Sequence, residues 1–496
     1  MLIARTREEI LARITNDRSA YYVTPISTPL SKQTRSDRGI KVSVERLASD
    51  SPLPPSEKDK IVRMKSLLFV GLALCVSSAI AVEPHEHNKV VCFWNSTSFE
   101  RTGPAKFQVE DLRPALSFCT HLIYGYAGIN AADNEVVPLH PNLDTGAGYA
   151  FYRLVTQMKR AFPDLKVYLS IGGNADPYEE THKYLTVTET PEARNKFVNS
   201  VGRLLSDYDF DGVDLAWQFP PVKVHKERGT FGKLWHGIKK TFGYGKFKDD
   251  KETEHREGFT ALVRDLKTQL RGRNKALTLT VLPHVNASVY YEARLLAPNI
   301  DAVHLMTFDQ KNPERNPKEA DYPAPIYESY GRVLQDNVDF PVRHWLENGT
   351  PGGKIVVGIP TFARTWKLTS DSQISGVPPI VADGPGAEGP HTQTPGMLSY
   401  PEVCSRLTES AVGRVRRVGD PSKKYGSYSY LPYNAETGAD GIWIGYEDPD
   451  TAGNKASYAK AKGLGGVAIF DLSTDDFRGT CTGDKFPIVR AAKYKL

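Results

Sequence analysis

Asp211-Gly212-Val213-Asp214-Leu215-Ala216-Trp217-Gln218-Phe219-Pro220 is the stretch on which the fold turns. Just upstream, Phe197, Val201, Leu204 and Leu205 recur at helical spacing, with Thr190 placed as N-cap and Pro191 as the first helical residue. A short loop then leads into the apolar Gly-Val-Asp-Leu-Ala-Trp run, which reads as a buried strand. A helix feeding such a strand is one repeat of an α/β fold. Asp214, Ala216 and Gln218 follow one another at intervals of two, so in a strand they share one face. The carboxyl end of a barrel strand is where such folds carry their chemistry.

The same alternation extends in both directions. Val90–Trp94, Leu122–Tyr126, Leu165–Ile171, Asp211–Trp217, Leu277–Leu282, Asp301–Phe308, Ile355–Thr361 and Gly466–Leu472 read as eight strands. Helical faces lie between them, such as Phe151, Leu154, Val155 and Met158, and later Phe259, Leu262, Val263 and Leu266. Over residues 82–496 this predicts an α/β TIM (β/α)8 barrel with insertions. The long segment between the seventh and eighth strands is rich in glycine, proline and aromatics. It reads as a small α+β insertion domain at about 365–447.

Residues 1–63 are polar and charged with little periodicity, and read as a non-native or disordered extension. Met64-Lys65-Ser66 opens a second apparent start, the apolar run Leu67–Val76 follows, and Ala79-Ile80-Ala81 resembles a cleavage site. Together, residues 64–81 have the architecture of a signal peptide. The extension carries twelve cations and eight anions, and Lys65 adds another cation, so the formal +5 of the chain lies upstream of residue 82. Residues 82–496 are near neutral, which removes any global case for nucleic-acid binding. No transmembrane segment is expected in the mature chain.

Beyond the signal segment, Cys92, Cys119, Cys404 and Cys481 remain, an even number that in a secreted chain implies disulfides. Four cysteines allow three pairings. Without a Cys-x-x-Cys pair, neither metal ligation nor any other cofactor is expected.

The Asp211–Gln218 stretch resembles the Asp-Gly-x-Asp-x-Asp-Trp-Glu motif of glycoside hydrolase family 18, the chitinases. Ser170-Ile171-Gly172-Gly173, Met306-Thr307-Phe308-Asp309, Gly358–Phe362 and Gly465–Phe470 resemble that family's motifs on the third, sixth, seventh and eighth strands. The resemblance spans nearly all of residues 88–496. In that family the final Glu is the general acid, and the substrate's own N-acetyl group is the nucleophile. Asp211, Asp214 and Trp217 match the motif, whereas Ala216 stands for its third Asp and Gln218 for the acid. Glutamine carries no proton to donate near neutral pH. Phe308 lacks the hydroxyl that would hold the N-acetyl carbonyl, and Phe470 replaces a Trp that floors the sugar site. The resemblance therefore implies no catalytic residue, only vestigial Asp211, Asp214, Ala216, Gln218 and Phe308. Trp94, Asp214, Trp217, Phe308 and Phe470 are its candidate carbohydrate contacts. It also implies the pairing Cys92–Cys119 and Cys404–Cys481.

Among chitinase-like proteins, the chain resembles the insect imaginal disc growth factors. The resemblance rests on Gln218, a long basic insertion after the fourth strand, and the ending Asp484-Lys485-Phe486-Pro487-Ile488-Val489-Arg490. That likeness implies a secreted, extracellular factor promoting cell proliferation and motility alongside insulin signalling, with cuticle and wound roles. Its partner would be an unidentified cell-surface receptor. The insertion interleaves Lys223, Lys226, Arg228, Lys233, Lys239, Lys240, Lys246 and Lys248 with Phe231, Trp235, Phe242, Tyr244 and Phe247. It suits an acidic receptor surface, a glycosaminoglycan or anionic lipid, or else a solvated loop whose aromatics pack on the barrel. The competing reading is a matrix lectin that binds chitin oligosaccharides without cleaving them.

Asn95, Asn286 and Asn348 each open a glycosylation sequon, and Asn286, following the fifth strand, is the one expected to be occupied. Mass-spectrometric sequencing of secreted protein should find an N-terminus near Val82 and a glycosidase-sensitive mass shift on Asn286. Peptides from residues 1–63 in that material would contradict the signal-peptide reading.

Overall fold

A computed structural model describes residues 88–176, 182–221, 249–408 and 415–496. The extension at 1–63, the signal at 64–81 and the basic segment at 222–248 lie outside the described residues.

Seven barrel strands come first: β1 (Lys89–Asn95), β2 (His121–Ile129), β3 (Lys166–Gly172), β4 (Gly212–Ala216), β5 (Ala276–Val281), β6 (Ala302–Leu305) and β7 (Ile355–Pro360). Five more, β8 (Phe362–Leu368), β9 (Met397–Ser399), β10 (Arg416–Val418), β11 (Ser427–Leu431) and β12 (Gly441–Tyr446), precede β13 (Gly466–Phe470). The first seven and β13 pair in parallel in chain order, and β13 closes on β1, which makes an eight-stranded barrel. The remaining five form an antiparallel sheet in the order β9-β8-β12-β11-β10, with helix α6 (Tyr400–Thr408) against it. This is the expected α+β insertion, and its sheet starts at Phe362, which pairs with Ser399.

Alternation along each strand sorts the core into two layers. Val90, Cys92 and Trp94 of β1 face the helices, while Val91 and Phe93 face the barrel interior. The helical layer includes α1 (Phe151–Gln157), α2 (Lys183–Glu189), α3 (Pro191–Asp207), α4 (Glu252–Arg271), α5 (Asp339–Glu347), α7 (Pro449–Ala461) and α8 (Pro487–Lys495). Helix α3 starts where the sequence places it: the Thr190 side chain accepts from Ala193 N at 3.2 Å, and Pro191 follows. Phe259, Leu262, Val263 and Leu266 are fully buried on α4. In α1 the expected face is rotated. Leu154 is exposed, and Tyr152 is buried instead, because its ring packs edge-on against Tyr124 and Phe210. On α3, Leu204 is only half-buried beside the buried Phe197, Val201 and Leu205.

Asp211 sits at the amino end of β4, far along the strand from Gln218. It accepts from Val167 N at 2.9 Å and from Lys159 Nζ at 3.1 Å. Asp301 repeats the arrangement two strands on, accepting from Leu277 N and Lys267 Nζ. Both carboxylates accept from the amide of the second residue of a neighbouring strand and pair with a lysine of the helical layer. Asp211 is thus a strand-entry fastener, and its motif match carries no chemistry at the barrel mouth. Among the described residues no helix is long and apolar enough to cross a membrane.

Disulfides join Cys92 to Cys119 and Cys404 to Cys481, the pairing that the family resemblance implies. The first ties β1 to the segment entering β2, and the second ties α6 of the insertion to the loop before α8. Cys404→Ser/Cys481→Ser should lower unfolding free energy by about 2–4 kcal/mol in urea titrations. Non-reducing peptide maps of the parent protein should contain no Cys92–Cys404 or Cys92–Cys481 species.

Candidate functional site at the barrel mouth

Asp214 points into the barrel from the middle of β4 and is fully buried. Its Oδ2 accepts from Ser170 Oγ at 2.8 Å, and its Oδ1 from Thr278 Oγ1 at 2.8 Å. Thr280 Oγ1 lies 2.8–2.9 Å from both oxygens, and His304 Nδ1 is 3.1 Å from Oδ1. Burial opposes the charge. The hydrogen bonds from His304, Thr278 and Ser170 outweigh it and hold this carboxyl below the usual carboxylate range. Deeper in the barrel His121 is pulled down to about 3, first by burial and then by His304, Lys89 and Lys166, so it stays neutral.

The Ser-x-Gly-Gly run of β3 has a steric purpose here. A Cβ on Gly172, at φ +101°, would lie 2.4 Å from the Ala216 carbonyl oxygen, and one on Gly173 would lie 2.5 Å from the Tyr126 ring. The missing side chains let β3 and β4 close on each other, and Gly173 N donates to Ala216 O at 2.8 Å. Ala216 itself is fully buried.

Gln218 lies beyond the last paired residue of β4. Its Nε2 donates to the backbone oxygens of Gly173 and of Asp176, the latter at 2.6 Å, while Oε1 is buried without a partner. The side chain therefore fastens the loop after β3 and does not reach into the barrel beside Asp214. Asp176 anchors the same loop, accepting from Lys183 Nζ at 2.6 Å, Tyr184 Oη at 2.6 Å and Ile129 N at 3.2 Å.

Two expected sugar contacts lie elsewhere. Trp94 and Trp217 are wholly buried in the layer between strands and helices. Trp94 Nε1 donates to Ser98 Oγ at 3.1 Å, with Tyr124 and Phe151 against its ring. Trp217 is packed by Tyr184, Phe197 and Phe259. Each faces outward because it occupies an odd step relative to its inward neighbours Phe93 and Ala216. Phe308 and Phe470 do meet at the mouth, with centroids 5.5 Å apart, and Phe93 and Phe362 extend the cluster. Phe308 is buried and Phe470 half-buried.

Sequence reasoning missed His304, Thr278 and Thr280. A histidine and two threonines in apolar runs carry no signal until the barrel closes around Asp214. It also missed Arg364, which clamps Asp309 with Nε and Nη2 at 2.6 Å each and so ties β8 to the loop after β6. Between these elements a depression with about 230 Å³ of empty space is lined by Phe308, Phe362, Arg364, Tyr446 and Glu447. Of the sequons, Asn286 is half-buried and its side chain accepts from Ser288 N and Oγ at the start of a short helix. Asn348 is exposed, but its Nδ2 donates to His344 O at 2.8 Å.

Residues 89–475 match the family model described as glycosyl hydrolases family 18. The chain is 52% identical over 444 residues to bacteria-responsive protein 1 of Aedes aegypti, which covers 88% of this chain and 99% of that protein. It is 45% identical over 452 residues to imaginal disk growth factor 6 of Drosophila melanogaster, covering 87% and 99%. Among solved structures it is similar to human YKL-39, described as a pseudo-chitinase with retained chitooligosaccharide binding properties. The TM-score is 0.66 at 26% identity, covering 82% of this chain and 99% of that one.

Gln218→Glu would set a carboxylate against two carbonyl oxygens. The variant should lose about 1–3 kcal/mol of stability at pH 7. Its Glu pKa would be raised in the fold, so the deficit should grow above the unfolded value of about 4.3 and shrink as pH falls toward it. Urea unfolding at pH 7 and pH 4.5 reads the difference, and an equal deficit at both would contradict the backbone role of Gln218.

Proposed function

Because the chain belongs to glycosyl hydrolase family 18, we propose that it is a secreted, catalytically inactive chitinase-like growth factor. In this reading it promotes cell proliferation and motility through a cell-surface receptor, acts alongside insulin signalling, and serves cuticle and wound responses. The observation that carries the loss of catalysis is Gln218, a neutral amide bound to backbone where the family's motif has its acid. An amide donates no proton to a leaving oxygen. Ala216 offers no carboxylate, and Phe308 no hydroxyl, to hold an N-acetyl group as it attacks. Secretion is supported by two disulfides, which persist in oxidising compartments. Signalling is supported by the growth-factor name of a relative 45% identical to this chain. The basic segment 222–248 adds a glycosaminoglycan or acidic receptor surface as a partner class.

A second reading, a glycan-binding lectin, is supported by the similarity to YKL-39, described as retaining chitooligosaccharide binding. Phe308, Phe470 and Asp214 are its remaining contacts from the sequence. Asp214 would act through its neighbours, since it has no exposed surface.

The purified protein should show no turnover of chitin oligomers across the pH range. Gln218→Glu alone should restore little, because Ala216 and Phe308 still leave the substrate unheld. Gln218→Glu/Ala216→Asp/Phe308→Tyr should restore more than the single changes combined, as expected of groups acting as a unit. Turnover by the parent protein that vanishes in Gln218→Ala would sink the inactive reading. Calorimetric titration with chitin oligomers separates the lectin from the growth factor: saturable binding supports the lectin.

A further inference from the structure

Exposed apolar side chains on this molecule are concentrated on one face. Seven of the eleven large ones among the described residues lie on two loops. Tyr327, Tyr330, Val333 and Leu334 stand on the connection between β6 and α5, and Ile374, Val377 and Val381 on the loop that follows β8. Tyr330 is 101% exposed and Ile374 76%, so both rings and branches project freely into water. The two loops are adjacent. Arg332 Nη2 donates to Pro378 O at 2.6 Å, and Glu319–Ala320 pairs antiparallel with Ile380–Val381.

Neither loop is loosely held. Arg332 Nε binds Asp321 at 2.9 Å. Ser372 Oγ donates to Val381 O at 2.6 Å, and Trp443 Nε1 to Gly376 O at 3.0 Å. Scattered single apolar residues need no explanation, but a preorganised cluster on fastened loops is the anatomy of an interface centre.

The charge around the cluster selects the occupant. The first loop carries Lys311, Arg315, Lys318 and Arg332 and the second no lysine or arginine, against nine acidic residues on the two together. Lys311 is paired with Glu319 and Asp336, Lys318 with Asp383 and Arg332 with Asp321. Glu328 and Asp371 are exposed beside the apolar side chains and make no ion pair. Anionic membrane surfaces attract basic segments, so a free acidic rim argues against lipid. A second copy docking through the same patch would bring this net-acidic face against itself, which is repulsive.

We infer that this face is the docking surface for a protein partner that offers an apolar concavity rimmed by lysine or arginine. The inference rests on the growth-factor reading and names the surface that meets the receptor. Tyr330 and Ile374 are the anchors that enter the partner, and Glu328 and Asp371 steer its approach.

The test is saturable binding of the fluorescently labelled, full secreted chain to intact cultured insect cells. Tyr330→Ser/Ile374→Ser should weaken it at least about tenfold, the effect of removing interface anchors, with urea unfolding unchanged. Glu328→Lys/Asp371→Lys should slow association and flatten its salt dependence. Equal binding by the Tyr330/Ile374 variant would overturn the docking face and leave the growth-factor reading standing. Absence of saturable, trypsin-sensitive binding by the parent protein would overturn both. Binding that survives trypsin treatment of the cells and recurs on phosphatidylserine vesicles would assign the face to lipid. A sedimenting dimer lost in the variant would assign it to a second copy, and either result refutes the proposal.

Discussion

A carboxylate without access to water must be met by donors on every side, and Asp214 is met by four side chains from three other strands. Ser170 reaches it from β3, Thr278 and Thr280 from β5, and His304 from β6. A buried charge without partners costs several kcal/mol, so the register of these strands cannot slip by a residue without stranding it. The closeness of β3 and β4 is part of the same constraint. Gly172 and Gly173 leave room for the Ala216 carbonyl and the Tyr126 ring, which places Ser170 within reach of Asp214.

Around this polar centre the mouth of the barrel has become apolar. Phe308, Phe470, Phe93 and Phe362 pack edge to face or tilted, in the geometries aromatic pairs prefer. Gln218 holds the loop after β3 through two carbonyl oxygens. Asp214 organises the barrel interior through its four donors.

The insertion sheet is held to the barrel by a few strong contacts. The Arg364–Asp309 fork bridges the two, and Cys404–Cys481 ties α6 to the loop that leads into α8. A bidentate guanidinium–carboxylate pair fixes orientation as well as distance. The loops that carry the exposed apolar face spring from β8 and from the connection after β6, so that face is supported by the same junction.

Local chemistry determined the repeat. Period-two and period-3.6 apolar patterns, the Thr190 cap and Pro191 gave the barrel, its strand order and the insertion, because these depend on neighbours a few residues apart. Ala216, Gln218, Phe308 and Phe470 were legible for a simpler reason: each is an identity, readable without coordinates. Which way a side chain turns was not. Tyr152 took the place of Leu154 because Tyr124 and Phe210 wait across the interface. Trp94 and Trp217 faced the helices because strand parity, set by the closed barrel, points them there. His304, Thr278 and Thr280 became a site only when β5 came to lie beside β4 and β6 beside β5, over 60 residues away in sequence from Asp214. The tertiary structure alone decided these, since a buried charge draws its partners from whatever strands closure sets beside it.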